Sequence, residues 1–378
     1  MKIVFTAGGS GGHFYPIIAV AEEVNAIVRE RNLVKPDLYY LSNHPYDEGL
    51  LYQNDLIYKH VSAGKLRVYF SIENATDFLK TLIGLPKALR LLYSIYPDVV
   101  FSKGSYASVP VVMAARILKI PVFIHDSDAV PGRANLWAGK FAERIGVSYP
   151  EAADYFQHQD RVACVGNPVR SEIRIRQTKD AHMHFDLAKD VPTILVLGGS
   201  QGAEHINNTL LRALKDLLSR YQIIHQIGKE NFKAFKQIAE VELEGFEHAL
   251  RYKPMPFLTT LDMRAAAGTA DLVVSRAGSG AVFEIANWEL PSIMIPIPET
   301  VSRDQRYNAY AYARSGATQV VEQHNCTPHV LTSEIDRVFS EEGLREKMIE
   351  GARAFKRPDA AKTIAQEIMR IAIEHEAA

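Results

Sequence analysis

The chain has 378 residues, 47% of them hydrophobic and 23% charged, with a formal net charge of −1. That length supports two domains with full cores, and the balanced charge excludes the global basic field that draws nucleic acid. The two cysteines, Cys164 and Cys326, are far apart and lack metal-ligand spacing, which excludes a disulfide framework and fits a reducing compartment.

The first residues run directly into a strand, so no secretory leader is expected, and no apolar run reaches the roughly 18 residues of a membrane span. Lys2–Phe5 reads as a short buried strand. It enters Thr6-Ala7-Gly8-Gly9-Ser10-Gly11-Gly12-His13, a loop holding four glycines. Each glycine costs conformational entropy, so such a cluster marks a sharp turn or a close approach. A helix is expected over Tyr15–Val28, with Ile17, Ile18, Val20, Ala21, Val24, Ile27 and Val28 at helical spacing and Pro16 in the first turn. Strand, glycine loop and helix together aim backbone N–H groups at an anion, although the same order also makes a plain turn.

Further strands are expected at Asp37–Leu41, Asp98–Phe101, Val122–His125 and Glu143–Val147. Between the first and second of these, Val68 to Tyr96 is amphipathic, its apolar residues set among Lys65, Arg67, Lys80, Lys87 and Arg90. It suits a core-facing helix with a solvated cationic side, or a surface for an anionic membrane. A boundary is expected near Gly166-Asn167-Pro168-Val169-Arg170, followed by the polar stretch Arg174 to Asp190.

The second half repeats the opening. The strand Thr193–Leu197 enters Gly198-Gly199-Ser200-Gln201-Gly202-Ala203, then a helix from about Ile206 to Leu218. The shared Gly-Gly-Ser-x-Gly core recurs after about 190 residues, half the chain, which points to two related α/β domains. Strands follow at Gln222–Gln226, Leu272–Ser275 and Ser292–Pro296. A third glycine stretch, Ser275-Arg276-Ala277-Gly278-Ser279-Gly280, leads into a helix through Glu284. A fourth, Ser102-Lys103-Gly104-Ser105-Tyr106, lies in the first half. The last segment, about Leu344 to Ile373, is a charged helix that Gly351 and Pro358 should break. Strands alternating with helices throughout predict parallel sheets covered on both faces. The expected domains are 1–165 and 166–354, with a final helix over about 355–378 returning to the first.

Read together, these motifs resemble the MurG glycosyltransferases of bacterial cell-wall synthesis. The likeness covers nearly the whole chain. It rests on Gly8-Gly9-Ser10-Gly11-Gly12-His13, Val165-Gly166-Asn167-Pro168-Val169-Arg170, Gly198-Gly199-Ser200-Gln201-Gly202-Ala203, Ser275-Arg276-Ala277-Gly278 with Glu284, and Asp304-Gln305-Arg306-Tyr307-Asn308-Ala309. It implies an α/β fold of GT-B architecture, two Rossmann-like parallel-sheet domains facing across a cleft. It implies an inverting transfer of N-acetylglucosamine from UDP-N-acetylglucosamine to an undecaprenyl-pyrophosphoryl-N-acetylmuramyl-pentapeptide, lipid I to lipid II, in peptidoglycan synthesis. The enzyme would work peripherally on an anionic membrane surface, at the cytoplasmic face, without a cofactor or a metal.

By the same resemblance, Ser10, Gly11 and Gly12 sit beside the donor sugar and its phosphates, and Arg170 reaches the same region. Ser200, with Gln201 and Gly202 after it, holds the UDP diphosphate at a helix N-terminus, where orphan N–H groups and the dipole favour anions. Glu284 accepts from the ribose hydroxyls, and Gln305 and Asn308 read the sugar hydroxyls with groups that both donate and accept. Thr260, in the Thr259–Met263 stretch, meets the uracil. Ser105 and Tyr106 lie on the acceptor side. Taken without the resemblance, Gln305 and Asn308 are a polar helix start and Glu284 a solvated carboxylate.

Two places depart from the family. Its usual His-Glu-Gln-Asn is here His125-Asp126-Ser127-Asp128, and the Asp128 carboxylate would repel a diphosphate unless it pairs with Arg170, Arg133 or Lys103 or hydrogen-bonds a sugar hydroxyl. Its usual Gly-Gly-Tyr is Gly104-Ser105-Tyr106. Asp126-Ser127-Asp128 also spells the D-x-D metal signature of another transferase fold, but it occupies the slot of a non-metal motif.

The reaction needs a base for the acceptor hydroxyl and stabilisation of the leaving diphosphate. His13, a histidine titrating near neutrality, is the expected base, with Asp128 or Asp126 in reserve. The alternative role for His13 is to orient the acceptor or cap the helix. The Ser200 helix start with Arg170 or Arg276 would stabilise the leaving group. Other readings are a GT-B transferase with another lipid acceptor, a UDP-N-acetylglucosamine 2-epimerase, and a non-catalytic nucleotide-sugar-binding subunit. A Rossmann dehydrogenase fits less well, because neither loop has the full G-x-G-x-x-G spacing with a later acidic residue.

Overall fold

The computed structural model describes residues 1–64, 73–199, 202–298 and 305–376, and of 73–82 and 376 the backbone alone. The chain divides into two compact units, Met1–Arg170 with Arg357–Ala378, and Ser171–Lys356.

The first unit is built on a parallel sheet whose seven strands among the described residues are β1 (Lys2–Thr6), β2 (Asp37–Ser42), β3 (Leu56–His60), β4 (Val99–Ser102), β5 (Val122–Asp126), β6 (Arg144–Val147) and β7 (Val162–Cys164). Their order is β3-β2-β1-β4-β5-β6-β7. Successive side chains of a strand point to opposite faces. Ile3, Phe5, Val99 and Phe101 therefore join one core with Ile17, Ile18 and Val24 of the helix Gly11–Glu30. Ile364, Ile368, Met369 and Ala372, from the helix Ala360–Glu376, complete that layer. Val4, Val100 and Ile124 face the other way, onto Ala88, Leu92, Val111 and Ala115.

The second unit has β8 (Thr193–Leu197), β9 (Gln222–Gln226), β10 (Tyr252–Met255), β11 (Leu272–Ser275), β12 (Ser292–Met294) and β13 (Thr318–Val320), ordered β10-β9-β8-β11-β12-β13 and again parallel. In such doubly wound sheets a ligand crevice opens outside the carboxyl ends of the strands, where the strand order reverses. Those switch points fall between β1 and β4 and between β8 and β11.

Several expectations need correction. The first helix begins at Gly11, inside the glycine loop, so Pro16 lies within the helix and not in its first turn. The polar stretch Arg174 to Asp190 contains the short helix Ala181–His184, and another, Ser171–Arg174, leads into it. The strand expected to reach Pro296 ends at Met294. The final helix breaks between Phe355 and Ala360, around Pro358, and Gly351 does not break it. Gly351 is instead a close-approach position, where a Cβ would meet the backbone of Ser315 and Ala317, 2.6 Å from the Ala317 nitrogen. The segment Val68–Tyr96 supplies the helix Glu73–Ile95, whose Ala88, Leu92 and Ile95 enter the core. Its Val68-Tyr69-Phe70 loop lies outside the described residues. No helix among the described residues is long and apolar enough to cross a membrane.

Gly351→Ala should therefore lower stability by about 2 kcal/mol, since rigid backbone would have to shift; urea unfolding monitored by circular dichroism checks this.

Candidate active site

In the first unit the sequence-predicted residues gather at the carboxyl ends of β1, β4 and β5. Ser10 is the N-cap of the helix Gly11–Glu30, with Gly11, Gly12 and His13 in its first turn. The Ser10 hydroxyl lies 2.8 Å from His13 Nδ1 and makes no cap bond to the backbone. A hydroxyl on Nδ1 leaves Nε2 as the ring's outer nitrogen. Ser105 stands across from this loop, so closely that a side chain at Gly8 would run into it. Tyr106 is 3.5 Å from the Asn43 amide, a long contact. Arg170 stacks its guanidinium 4.6 Å from the Tyr15 ring centroid, on the same helix as His13.

Ser105 occupies a backbone conformation, φ 78° and ψ 160°, that belongs to glycine. Its carbonyl accepts from the Ser108 hydroxyl at 2.8 Å, which helps hold the turn. The departure from the family's glycine thus carries a strain cost.

The loop His125-Asp126-Ser127-Asp128 is more committed than its spelling suggests. Asp126 accepts from the Asp128 and Gly132 amides and from Asn135 Nδ2, at 3.0, 2.9 and 2.8 Å. Its carboxylate is spent on shaping the loop, which argues against a metal role for Asp126-Ser127-Asp128. No group of three or more His, Cys, Asp or Glu with metal-site geometry occurs among the described residues.

The sequence reading missed a buried polar cluster here. Lys103 is 2% exposed, and its ammonium reaches His125 Nδ1 at 2.5 Å, Asn167 Oδ1 at 3.1 Å and the Ser127 hydroxyl. His125 Nε2 lies 2.9 Å from the Gly166 carbonyl, which can only accept. The imidazole therefore carries its proton on Nε2 and takes the lysine bond on Nδ1. Burial, and then the Lys103 charge, hold His125 well below the usual histidine range. Burial pushes Lys103 down to about 7, against the pull of Asp126 and Asp128. The signal in the sequence was a lysine directly after an apolar strand, where solvation is not available.

In the second unit the glycine loop follows β8. Gly199 and Gly202 have φ of +78° and +79°, and a Cβ at Gly202 would lie 2.5 Å from the Ile227 carbonyl. Ser200 and Gln201 lie outside the described residues. At the end of β11, Arg276 donates to the Ile295 carbonyl at 3.1 Å, and Gly278 caps the helix Ser279–Trp288, which carries Glu284 half-buried. Gln305 opens the helix Gln305–Ala313 beside Gly278, and its Oε1 accepts from the Ile297 amide at 3.3 Å. Asn308 is 1% exposed and donates to the Ala277 carbonyl at 3.2 Å, so it braces the β11 turn. Thr260 begins the helix Thr260–Thr269, whose capping box pairs Thr259 with Asp262. Arg276, Gly278, Gln305 and Asn308 thus come together, and Thr260 lies on a separate helix start.

The geometry is that of two doubly wound sheets, each with a glycine loop at its switch point, as in transferases of the GT-B class. Residues 3–147 match the glycosyltransferase family 28 N-terminal domain, and residues 193–364 its C-terminal domain. A UDP-N-acetylglucosamine–N-acetylmuramyl-(pentapeptide) pyrophosphoryl-undecaprenol N-acetylglucosamine transferase of Natranaerobius thermophilus is 31% identical, over 96% of this chain and 98% of its own. The protein of that name from Shouchella clausii is 34% identical, over 97% and 98%. Among solved structures, Acinetobacter baumannii MurG aligns with a TM-score of 0.72 and 25% identity, covering 98% of this chain and 99% of its own. A Neisseria meningitidis UDP-GlcNAc 2-epimerase shares the fold alone, at 0.69 and 13%, covering 98% of this chain and all of its own. The chain belongs to the MurG family of glycosyltransferases.

Two outcomes follow. Ser105→Gly should raise the stability of the protein by about 1 kcal/mol through relief of backbone strain, read as a higher midpoint in urea. For Lys103 the unfolded state, with its pKa of 10.5, binds more protons than the folded state between about pH 7 and 10.5. The cost of burying the ammonium is therefore fully present below pH 7 and is relieved as pH rises. The stability difference between wild type and Lys103→Met should move in favour of wild type from pH 7 to pH 10, measured by urea unfolding at each pH.

Proposed function

We propose that this protein is an inverting transferase that moves N-acetylglucosamine from UDP-N-acetylglucosamine to undecaprenyl-pyrophosphoryl-N-acetylmuramyl-pentapeptide, lipid I to lipid II, peripherally at the cytoplasmic face of the membrane. The observation that carries this reading is the near-full-length likeness to transferases of that name.

In this reading the second unit holds the donor. The helix start after Ser200, Gln201 and Gly202 takes the diphosphate, with Arg276 nearby in charge. Glu284 accepts from the ribose, Thr260 meets the uracil, and Gln305 reads the sugar, with Asn308 keeping the β11 turn in place. From the first unit, Ser10, Gly11, Gly12, Asp128 and Arg170 serve the sugar and its phosphates, and Ser105 and Tyr106 the acceptor. The acceptor hydroxyl oxygen bonds to the anomeric carbon, and the bond from that carbon to the diphosphate oxygen breaks. The electron pair leaves with UDP, and configuration inverts. His13 takes the hydroxyl proton on Nε2. That requires Nδ1–H donating to the Ser10 hydroxyl, so the 2.8 Å contact gives Ser10 the part of fixing the tautomer. Fixed N–H groups and arginine stabilise the charge on the leaving diphosphate.

The test is transfer of labelled N-acetylglucosamine from its UDP donor to a short-chain muramyl-pentapeptide pyrophosphoryl lipid, with a no-acceptor control. Acceptor-dependent product with UDP release is expected, and His13→Ala should lower kcat by about 100-fold or more. Near-normal turnover in that variant would remove His13 as the base. Epimerised nucleotide sugar in the no-acceptor control would favour the epimerase reading that the shared fold suggests.

A further inference from the structure

The expected nucleotide-binding residues of the second unit lie on loops from different strand ends, and β9, which joins them, carries no residue in the reading above. Its last residue, Gln226, is 4% exposed and touches both loops. Its backbone carbonyl accepts from the Gly198 amide at 3.3 Å. Its side-chain Nε2 donates to the Gly199 carbonyl at 3.1 Å. Its Oε1 accepts from the Leu258 amide, also at 3.1 Å, directly before the Thr259 cap of the helix that carries Thr260.

Each partner can play one role only. A carbonyl must accept and a backbone amide must donate, so the orientation of the Gln226 amide is fixed. No other side chain of that length supplies a donor and an acceptor without charge. The neighbouring residues hold the strand end still. His225 is fully buried, with Nδ1 2.8 Å from the Tyr252 hydroxyl and Nε2 3.0 Å from Asn207 Oδ1, and Asn207 Nδ2 donates to the Ile227 carbonyl at 3.1 Å. His225, Gln226 and Ile227 therefore form a rigid post between the diphosphate loop and the base loop.

We propose that Gln226 is a positioning residue for the donor, a strut that sets the distance between the loop that holds the diphosphate and the loop that meets the base. The proposal rests on the nucleotide site assigned above. A ligand that spans both loops gains from their being held at the right separation in advance, whereas a ligand that touches one loop does not. UDP spans both. Pyrophosphate and uridine each address one.

The test uses the full-length protein and Gln226→Met, an unbranched side chain of similar length that makes neither bond. The affinity for UDP should fall about tenfold by calorimetry, the loss expected when the separation of the two loops is no longer set before binding. Inhibition by pyrophosphate and by uridine should each change by less than about threefold, since single-loop ligands do not need the strut. KM for the UDP-sugar should rise while KM for the lipid acceptor stays constant. A purely structural role would lower the unfolding midpoint and leave the UDP-to-pyrophosphate ratio untouched. Unchanged UDP affinity, or equal losses for all three ligands, would overturn the proposal. If Gln226→Met does not fold, Gln226→Asn keeps the amide but is one methylene too short to reach both loops, and the same selective loss is expected. Failure of the wild-type protein to bind UDP at all would count against the assigned site, whereas wild-type binding matched by both variants would count against the strut.

Discussion

Parallel strands covered on both faces impose the constraint on which everything else here depends. A parallel pair needs a crossover, and a helix supplies it, so every strand of a unit points the same way and every crossover helix starts near the same edge. Within each unit the switch point, between β1 and β4 or between β8 and β11, then collects strand ends, a glycine turn and a helix N-terminus. Chemistry at those edges follows from topology before any particular side chain is considered. The side chains decide which chemistry. In the first unit they present a serine–histidine pair and a stacked arginine, and in the second a glycine cradle with arginine, glutamate and amides.

The same strand ends carry polar groups into regions that water does not reach, and each unit handles this differently. The first uses a lysine ammonium surrounded by a histidine, a serine and an asparagine. The second uses neutral groups, a histidine between a tyrosine hydroxyl and an asparagine, with burial holding that histidine down to about 3. In both, a backbone carbonyl settles the arrangement, Gly166 for His125 and Ile227 for Asn207. Such networks lock the geometry of a turn because a buried donor without an acceptor is expensive. They also tie the glycine loops to the sheet. The loops themselves can then remain free of bulky side chains.

How far the sequence could be read depended on where a residue lies in its sheet. The central strands, buried on both faces, read as apolar runs such as Ile3-Val4-Phe5 and Ile194-Leu195-Val196, and were legible. The strands that escaped are β3, β7, β10 and β13, which are the four sheet edges. An edge strand has one neighbour and tolerates Lys59 and His60 in β3, Gln319 in β13 and even Pro254 in β10, since it need not donate on its open side. Composition and periodicity carry little trace of such segments. The glycine loops were legible as motifs, but their helix boundary was not, because Gly11 and Gly12 are poor helix formers placed in a first turn by the loop before them. The partnering of Lys103 with His125, Ser127 and Asn167 was not legible either. Those residues are far apart along the chain, and only the sheet order brings them together.

The first unit is also discontinuous along the chain. Its early residues, through Arg170, are followed by the whole of the second unit before Arg357 and the helix Ala360–Glu376 return to it. Ile364, Ile368, Met369 and Ala372 fill a core layer beside Ile3 and Phe5. During synthesis on the ribosome, then, the half of the protein made first cannot complete its interior until the half made second has already emerged. A transcript cut short anywhere within the second unit leaves the first with an open apolar face, marked for chaperones or proteases instead of persisting as a half-enzyme that could still occupy substrate.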